Sequence, residues 1–439
     1  MQENIISKNI IILGSGITSL MAAYKLLQVR DTKITIITGD DDNWKANSDT
    51  FQITPFPTLA GPLGVETQSG QIWNGPDIKQ RVANSSDITS NLYINDELSE
   101  YSQNWLKEFS EIDNSPNSYQ KRSELLYKMN YFSALQMREI LGDENEEIGL
   151  TFKGNLRLFS NQENLDIAFG YQEVIAQIGG KALQKLTKDE CKELAPNLDS
   201  YLNSSDVIGG VFYPEDGKLD GTKLYNFIRK QLTNSDKVEL IFNQQAKSIN
   251  SETNTLTTID GSKYSFTKCI IATGLGSQKL LTNLNLPIHP LWGWSCRIPF
   301  SHKKQVETAF TIGFNKECFI FSDYGDYIRV GGTTELMNFD KKNPKTMRVK
   351  ELMLNNVNKI FGTQIEIESA LCFAGARTMT VDDLPIIDNL SKDILLTIPS
   401  GHLGILQSAG LADVIKNFIS EQSQELNISD YSLTRFNHA

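Results

Sequence analysis

The sequence predicts an α/β protein in which a parallel-sheet domain, assembled from separate stretches of chain, is interrupted twice by mostly antiparallel α+β structure. Three observations carry this. A strand, a glycine turn, a helix and a second strand follow one another at the N-terminus. Short β-branched runs return near 268–272 and 394–398. Alternating β-rich segments of another style lie between them. With 439 residues the chain exceeds one compact core, so two intertwined domains are expected.

Asn9 to Leu13 is a short apolar block, as expected of a strand buried on both faces of a parallel sheet. Ile17, Leu20, Met21, Tyr24 and Leu27 then recur at three- and four-residue steps, predicting a helix ending near Gln28. Lys33 to Ile37 supplies the second strand and completes a βαβ unit. From Asp40 to Gly75 the chain is rich in Gly, Pro, Asn and Asp and reads as a long functional loop. Residues 95–145 are mixed helical, while 154–159 and 207–213 look like strands of a different sheet. Lys268 to Ala272 is a buried strand closing on Thr273-Gly274, and Trp292 to Cys372 is β-rich, including Tyr327 to Val330. Ile394 to Ile398, Gly401 and a helix over 405–418 restore the strand-turn-helix style.

Composition narrows the function classes. A formal net charge of -11 with no basic stripe disfavours nucleic acid, so an anionic ligand needs a local cationic pocket. Five cysteines without a CxxC pair make a disulfide framework or zinc site improbable and fit a reducing cytoplasm. His289, His302, His402 and His438 lack ligand spacing, so no metal is expected. The apolar stretch 10–27 is broken by Gly14, Ser15, Gly16, Thr18 and Ser19 and reads as folded structure rather than a signal peptide. No window reaches the roughly 18 apolar residues of a spanning helix, so membrane contact is at most peripheral, at the inner membrane.

The strongest chemical signal is Gly14-Ser-Gly16-Ile17-Thr18-Ser19 between the first strand and helix. Gly14 permits the tight turn and Gly16 close approach of a pyrophosphate. The helix N-terminus offers free N–H groups, and Ser19 stands where a third glycine is usual. The acidic ribose ligand expected at the end of the second strand is replaced by Thr38, with Asp40 two residues on; either Asp40 reaches back or the contact is weaker. One such fingerprint argues for a flavin without a nicotinamide partner.

The fingerprint, Ala272-Thr-Gly274, Leu286 to Pro290 with Gly293, Gly375-Ala-Arg377-Thr-Met-Thr380-Val-Asp382-Asp-Leu-Pro385, and Gly401-His402-Leu403-Gly404 together resemble the D-amino-acid oxidase and dehydrogenase superfamily. The resemblance implies a Rossmann-like FAD-binding domain from 1–85, 206–286 and 371–439, and a substrate domain from 86–205 and 287–370. It implies that Arg377 binds the substrate carboxylate, for which a planar guanidinium is suited. Asp382 and Asp383 offer that arginine alternative partners. Thr67 to Gln71, including Ser69, Gly70 and Gln71, resembles the flavin-facing loop of the dehydrogenase branch. Ala246, Thr273, Gly274 and Gly401 to Gly404 are further cofactor contacts by the same likeness. Trp292, Trp294 and Tyr327 are candidates to line the substrate side.

The implied reaction is hydride transfer from the α-carbon of a D-amino, secondary or N-substituted amino acid to flavin N5, with oxygen or a quinone as acceptor. Gly375 stands where some relatives attach the flavin through cysteine, so the FAD is expected to be non-covalent, with Cys372 a small buried residue. Phe319 stands near a glycine oxidase tyrosine, and Val381, Asp383 and Asp388 depart from the usual proline and glycines. Two rival readings follow: a flavin-dependent hydroxylase, whose Gly-Asp motif is replaced here by Gly401-His402, and a non-catalytic flavin-binding subunit.

Overall fold

A computed structural model of the protein describes residues 8–39, 64–87, 90, 92–94, 97–299, 309–314, 316, 319–340 and 346–436. The expected βαβ unit forms as strand Lys8–Leu13, helix Ile17–Leu26 and strand Thr32–Ile37. These two strands pair in parallel and continue through Val238–Ile241 on one side and Lys268–Ile271 and Ile394–Ile398 on the other; Ile386–Ser391 adds an antiparallel edge. The alternation of the first strand explains its apolar run. Ile10 and Ile12 enter a core with Leu20 and Met21 of the first helix, whereas Ile11 and Leu13 enter a second core with Leu256, on the opposite face. Helices Pro116–Leu141 and Gly404–Ser420 also pack into the first core.

The second layer is a nine-stranded sheet running Leu371–Thr380, Ile288–Pro299, Tyr327–Leu336, Phe319–Asp323, Thr311–Phe314, Asn155–Phe159, Gly209–Tyr213, Gln184–Thr187, with Leu92–Ile94 beside Tyr327–Leu336. Two expected boundaries move. Asn155–Phe159 and Gly209–Tyr213 pair in a different sheet, as expected of 154–159 and 207–213, so Gly209–Tyr213, like Leu371–Thr380 beside Ile288–Pro299, belongs to the nine-stranded sheet although it opens a segment expected in the nucleotide domain. Both stretches cross from one sheet to the other.

The two faces of this sheet differ in character. One carries Leu156, Leu158, Trp294, Ile298, Ile312, Phe314, Phe319, Phe321, Ile328 and Val330, sealed by Met353, Leu354 and Val357 of helix Thr346–Phe361. The other carries Arg377, Ser295, Arg329, Ser322, Thr311, Arg157 and Asn155 by the strand register.

The cysteine expectation is corrected. Cys296 and Cys372 are direct cross-strand partners and form a disulfide across 76 residues of sequence. Linear spacing does not reveal a pair that meets only through strand register. Cys372 is therefore a bridge residue rather than a small filler, and the cysteine count no longer argues for a reducing compartment. Among the described residues no helix is long and apolar enough to cross a membrane, and no group of His, Cys, Asp and Glu suits a metal.

Candidate active site

The glycine turn lies at the carboxyl edge of the parallel sheet. Gly14 has φ 102°, and a Cβ there would stand 2.8 Å from the Ala272 carbonyl oxygen, so both conformation and contact require glycine. Gly16 differs: nothing lies within 4 Å of its would-be Cβ, and it caps the helix without any side-chain hydrogen bond. Ile17, Thr18 and Ser19 form the first turn, which contains no acidic residue, and Ser19 Oγ donates to Ala272 O at 3.3 Å. Uncapped N–H groups behind an open glycine are the donor set a pyrophosphate requires.

Thr38 is buried, and its hydroxyl donates to Ser15 Oγ at 3.1 Å, bracing the turn from behind. Asp40 lies outside the described residues. The Gln244 N–H donates to Thr38 O at 2.9 Å, which brings Ala246 and its strand beside the end of Thr32–Ile37. Thr273 Oγ1 bonds Ser277 Oγ at 2.8 Å, and Gly274, at φ 53°, sits against Thr378. Gly14 to Ser19, Thr38, Thr273 and Gly274 thus lie at one sheet edge.

The segment 66–71 bridges this edge to the polar face of the second sheet. Asp216 fastens it, accepting Gln68 N–H at 2.6 Å, Ser69 N–H at 3.3 Å and the Ser69 hydroxyl, with Asn155 Nδ2 at 3.2 Å. Ser69 is therefore an anchor of the loop through its side chain. Gly70 is cramped, since a Cβ would meet Glu66 O at 2.5 Å and Asn130 Nδ2 at 2.8 Å; Gln71 is half-buried beside it. Burial pushes the Asp216 carboxyl up to about 7, outweighing the hydrogen bonds from Ser69 and Gln68. A carboxyl whose folded value exceeds its ordinary 3.8 binds its proton more tightly in the native chain. That stabilisation is complete below the ordinary value and is lost as pH rises to about 7. Asp216→Asn should flatten the decline of the urea midpoint between about pH 4 and 7; an equally steep decline in the variant contradicts the assignment.

Arg377 stands half-buried on the polar face, its guanidinium lying over Gly293, where no Cβ could fit. Nη1 donates to Thr334 Oγ1 at 3.4 Å, and Nε has no hydrogen-bond partner among the described residues. The two aspartates that competed for it on paper are engaged elsewhere. Asp382 takes Arg435 Nε at 2.7 Å and Nη2 at 3.2 Å. Asp383 accepts Trp73 N–H at 2.5 Å and Ser400 Oγ at 3.0 Å, and its φ of 59° lies in the left-handed region that favours glycine. Burial lowers the Arg377 guanidinium to about 10, with Glu66 and then Asp383 pulling the other way, so it stays cationic at neutral pH.

The three other candidates, Trp294, Tyr327 and Trp292, are not brought to Arg377. Trp294 lies on the opposite face of its strand, three register positions from the residue paired with Arg377, and packs in the sealed core. Tyr327 shares the polar face, but it is seven residues along its strand from Thr334, about 20 Å away, with its hydroxyl on Asp220. Trp292 packs with Met337 and Ala376 behind the sheet, and Phe319 stacks on Phe314 at 4.8 Å in the sealed core.

Residues absent from the sequence reading complete the site. Glu66 is buried, with Arg157 Nη2 at 3.2 Å from Oε1 and His402 Nε2 at 3.6 Å from Oε2. Burial alone would raise its carboxyl, yet Arg157, His402 and Arg377 together bring it below the usual range. His402 is held in the turn Gly401–Leu403, where Gly401, at φ 37°, presses on Met379 of the Arg377 strand. Leu403 is buried against Leu384 and Ile72, and Gly404 opens the long helix. A charged residue between Leu156 and Leu158 was the available signal for Arg157; it occupies the alternate face of an otherwise apolar strand.

A family model described as FAD dependent oxidoreductase matches residues 9–417. The D-amino acid dehydrogenase of Vibrio vulnificus strain YJ016 is 24% identical over 427 residues, covering 94% of this chain and 96% of that relative. The enzyme of the same name from Neisseria gonorrhoeae strain NCCP11945 is 25% identical over 323 residues, covering 72% of this chain and 75% of its own. Among solved structures, glycine oxidase from Geobacillus kaustophilus superposes with a TM-score of 0.69 at 17% identity, covering 98% of this chain and 99% of the other. L-proline dehydrogenase from P. horikoshii gives 0.67 at 16% identity, covering 98% of each chain. These likenesses bear out the expected fold class of a Rossmann-like nucleotide domain with an antiparallel partner.

Proposed function

The chain belongs to the FAD dependent oxidoreductase family, and on that premise we propose that it oxidises the C–N bond of a small D-amino, secondary or N-substituted amino acid to the imino acid, which water hydrolyses. The observation that carries the reading is Arg377: a cationic guanidinium on a polar sheet face, with neighbouring Asp382 and Asp383 committed to other partners. One carboxylate can take its two parallel N–H bonds and be oriented by them. The relatives named D-amino acid dehydrogenase support the amino-acid class.

The turn at Gly14 and Gly16 fits FAD: open space at Gly16 and uncapped helix N–H groups receive its pyrophosphate. Bound non-covalently, FAD supplies the hydride acceptor at N5. Segment 66–71, pinned by Asp216, and the turn Gly401–Leu403 hold the protein's two flavin-facing surfaces in register. Oxygen or a quinone takes the electrons afterwards.

Anaerobic mixing of the purified yellow protein with D-alanine, D-proline and N-methylglycine should bleach the flavin with at least one of them, and oxygen or a quinone should restore it. A flavoprotein left yellow by every amine of a wider panel would instead be a non-catalytic binding subunit. A nicotinamide requirement would point to a hydroxylase.

A further inference from the structure

We propose that Glu66 is the counter-charge for the substrate nitrogen, selecting ligands whose nitrogen is or becomes cationic beside the carboxylate held by Arg377. This rests on the reading of Arg377 given above. Glu66 is 3% exposed, and its Oε1 accepts no hydrogen bond among the described residues although Arg157 Nη2 is 3.2 Å away. Arg157 reaches it from the strand Asn155–Phe159, His402 from the turn before the last helix, and Arg377 acts on it from a third element. A carboxylate so enclosed is expensive to maintain unless charges around it compensate.

The charge count gives it a use. Arg157 and Arg377 bring two fixed positive charges, and the carboxylates of Glu66 and Asp383 face them. Asp383 accepts Trp73 N–H and Ser400 Oγ, neutral donors that leave its charge in place. A ligand carboxylate on Arg377 must share that arginine with Glu66, and the two anions repel. A 2-amino acid relieves the repulsion, because its nitrogen brings positive charge next to the carboxylate; a hydroxy or oxo acid does not. The same charge serves the reaction. The ammonium first gives a proton to solvent; as the α C–H bond then breaks, both its electrons would leave as hydride to the bound flavin, the freed nitrogen lone pair closes the C=N bond, and the nitrogen becomes cationic again in a site already holding its counter-ion.

The test compares matched acids with and without nitrogen: D-alanine against D-lactate, and N-methylglycine against methoxyacetate. Binding of the nitrogen-free acids is read from perturbation of the flavin spectrum, and the amines from the anaerobic bleaching rate at saturation. In Glu66→Gln the nitrogen-free acids should bind about tenfold tighter while amine bleaching slows about tenfold or more. A residue that merely held the fold would move both the same way, so parallel loss, or no change in either, overturns the proposal and leaves the function intact. If Glu66→Gln does not fold because Arg157 is left unpaired, Glu66→Gln/Arg157→Gln removes both charges and must still slow amine bleaching; normal bleaching there overturns the proposal too. A wild-type protein that neither bleaches with amines nor binds any of the acids overturns the function itself, and this inference with it.

Discussion

Replacing Arg377 with alanine should lower the efficiency of anaerobic flavin reduction by about a thousandfold, close to 4 kcal/mol, while FAD content and thermal midpoint stay near wild type. The size follows from what is removed. Two charge-assisted hydrogen bonds disappear in a shielded site, and with them the orientation that presents the α-hydrogen. The fold is spared because, among the described residues, the guanidinium makes one long bond to Thr334 at 3.4 Å and no ion pair with Asp382 or Asp383. Arg377→Lys should recover part of the loss, since a point charge attracts a carboxylate without gripping both oxygens. The effect belongs mainly in the half-saturating substrate concentration. A half-saturation within threefold of wild type for Arg377→Ala would place the carboxylate elsewhere.

What could be read from sequence and what could not divides along physical lines. Gly14 and Gly16 were legible because their roles are local: strand, turn and helix are contiguous, and the backbone needs of a tight turn act on residue type directly. Arg377 was legible through the motif surrounding it. The face on which a strand residue points was not, because it depends on register with a partner far away in sequence. Trp294 and Arg377 lie on paired strands, and only the pairing of Leu291 with Arg377 shows that they face opposite ways. The Cys296–Cys372 bridge was hidden for the same reason. Glu66, Arg157 and Asp216 were missed because each is unremarkable in its own segment. They become a site when Gly209–Tyr213 pairs with Asn155–Phe159 and Asp216, just beyond that strand, takes the N–H groups of Gln68 and Ser69. Asp383 looked like a departure from the pattern, yet its φ of 59° shows an aspartate doing a glycine's conformational work.

Gly16→Val should yield a folded, colourless protein, with FAD affinity weakened at least a hundredfold, and so separates cofactor binding from folding. Gly16 has φ -69° and ψ 170°, an extended conformation open to valine, and its would-be Cβ meets nothing within 4 Å. The substitution therefore costs the fold about 1 kcal/mol, the usual penalty for a branched residue at a helix N-cap. What it fills is the space above the helix terminus, where a pyrophosphate would approach the uncapped N–H groups. Gly14→Val is the contrasting case, since at φ 102° with the Ala272 oxygen 2.8 Å from the new Cβ it should lose the fold itself. Thermal midpoints with and without added FAD distinguish the two. Wild type rises with ligand concentration, because binding the native state alone stabilises it. Gly16→Val should melt cooperatively near the midpoint of cofactor-free wild type and show no rise. If instead it binds FAD and shifts as wild type does, the phosphates lie away from this helix, and the arrangement of the nucleotide end derived from Gly14, Gly16 and Ser19 is wrong.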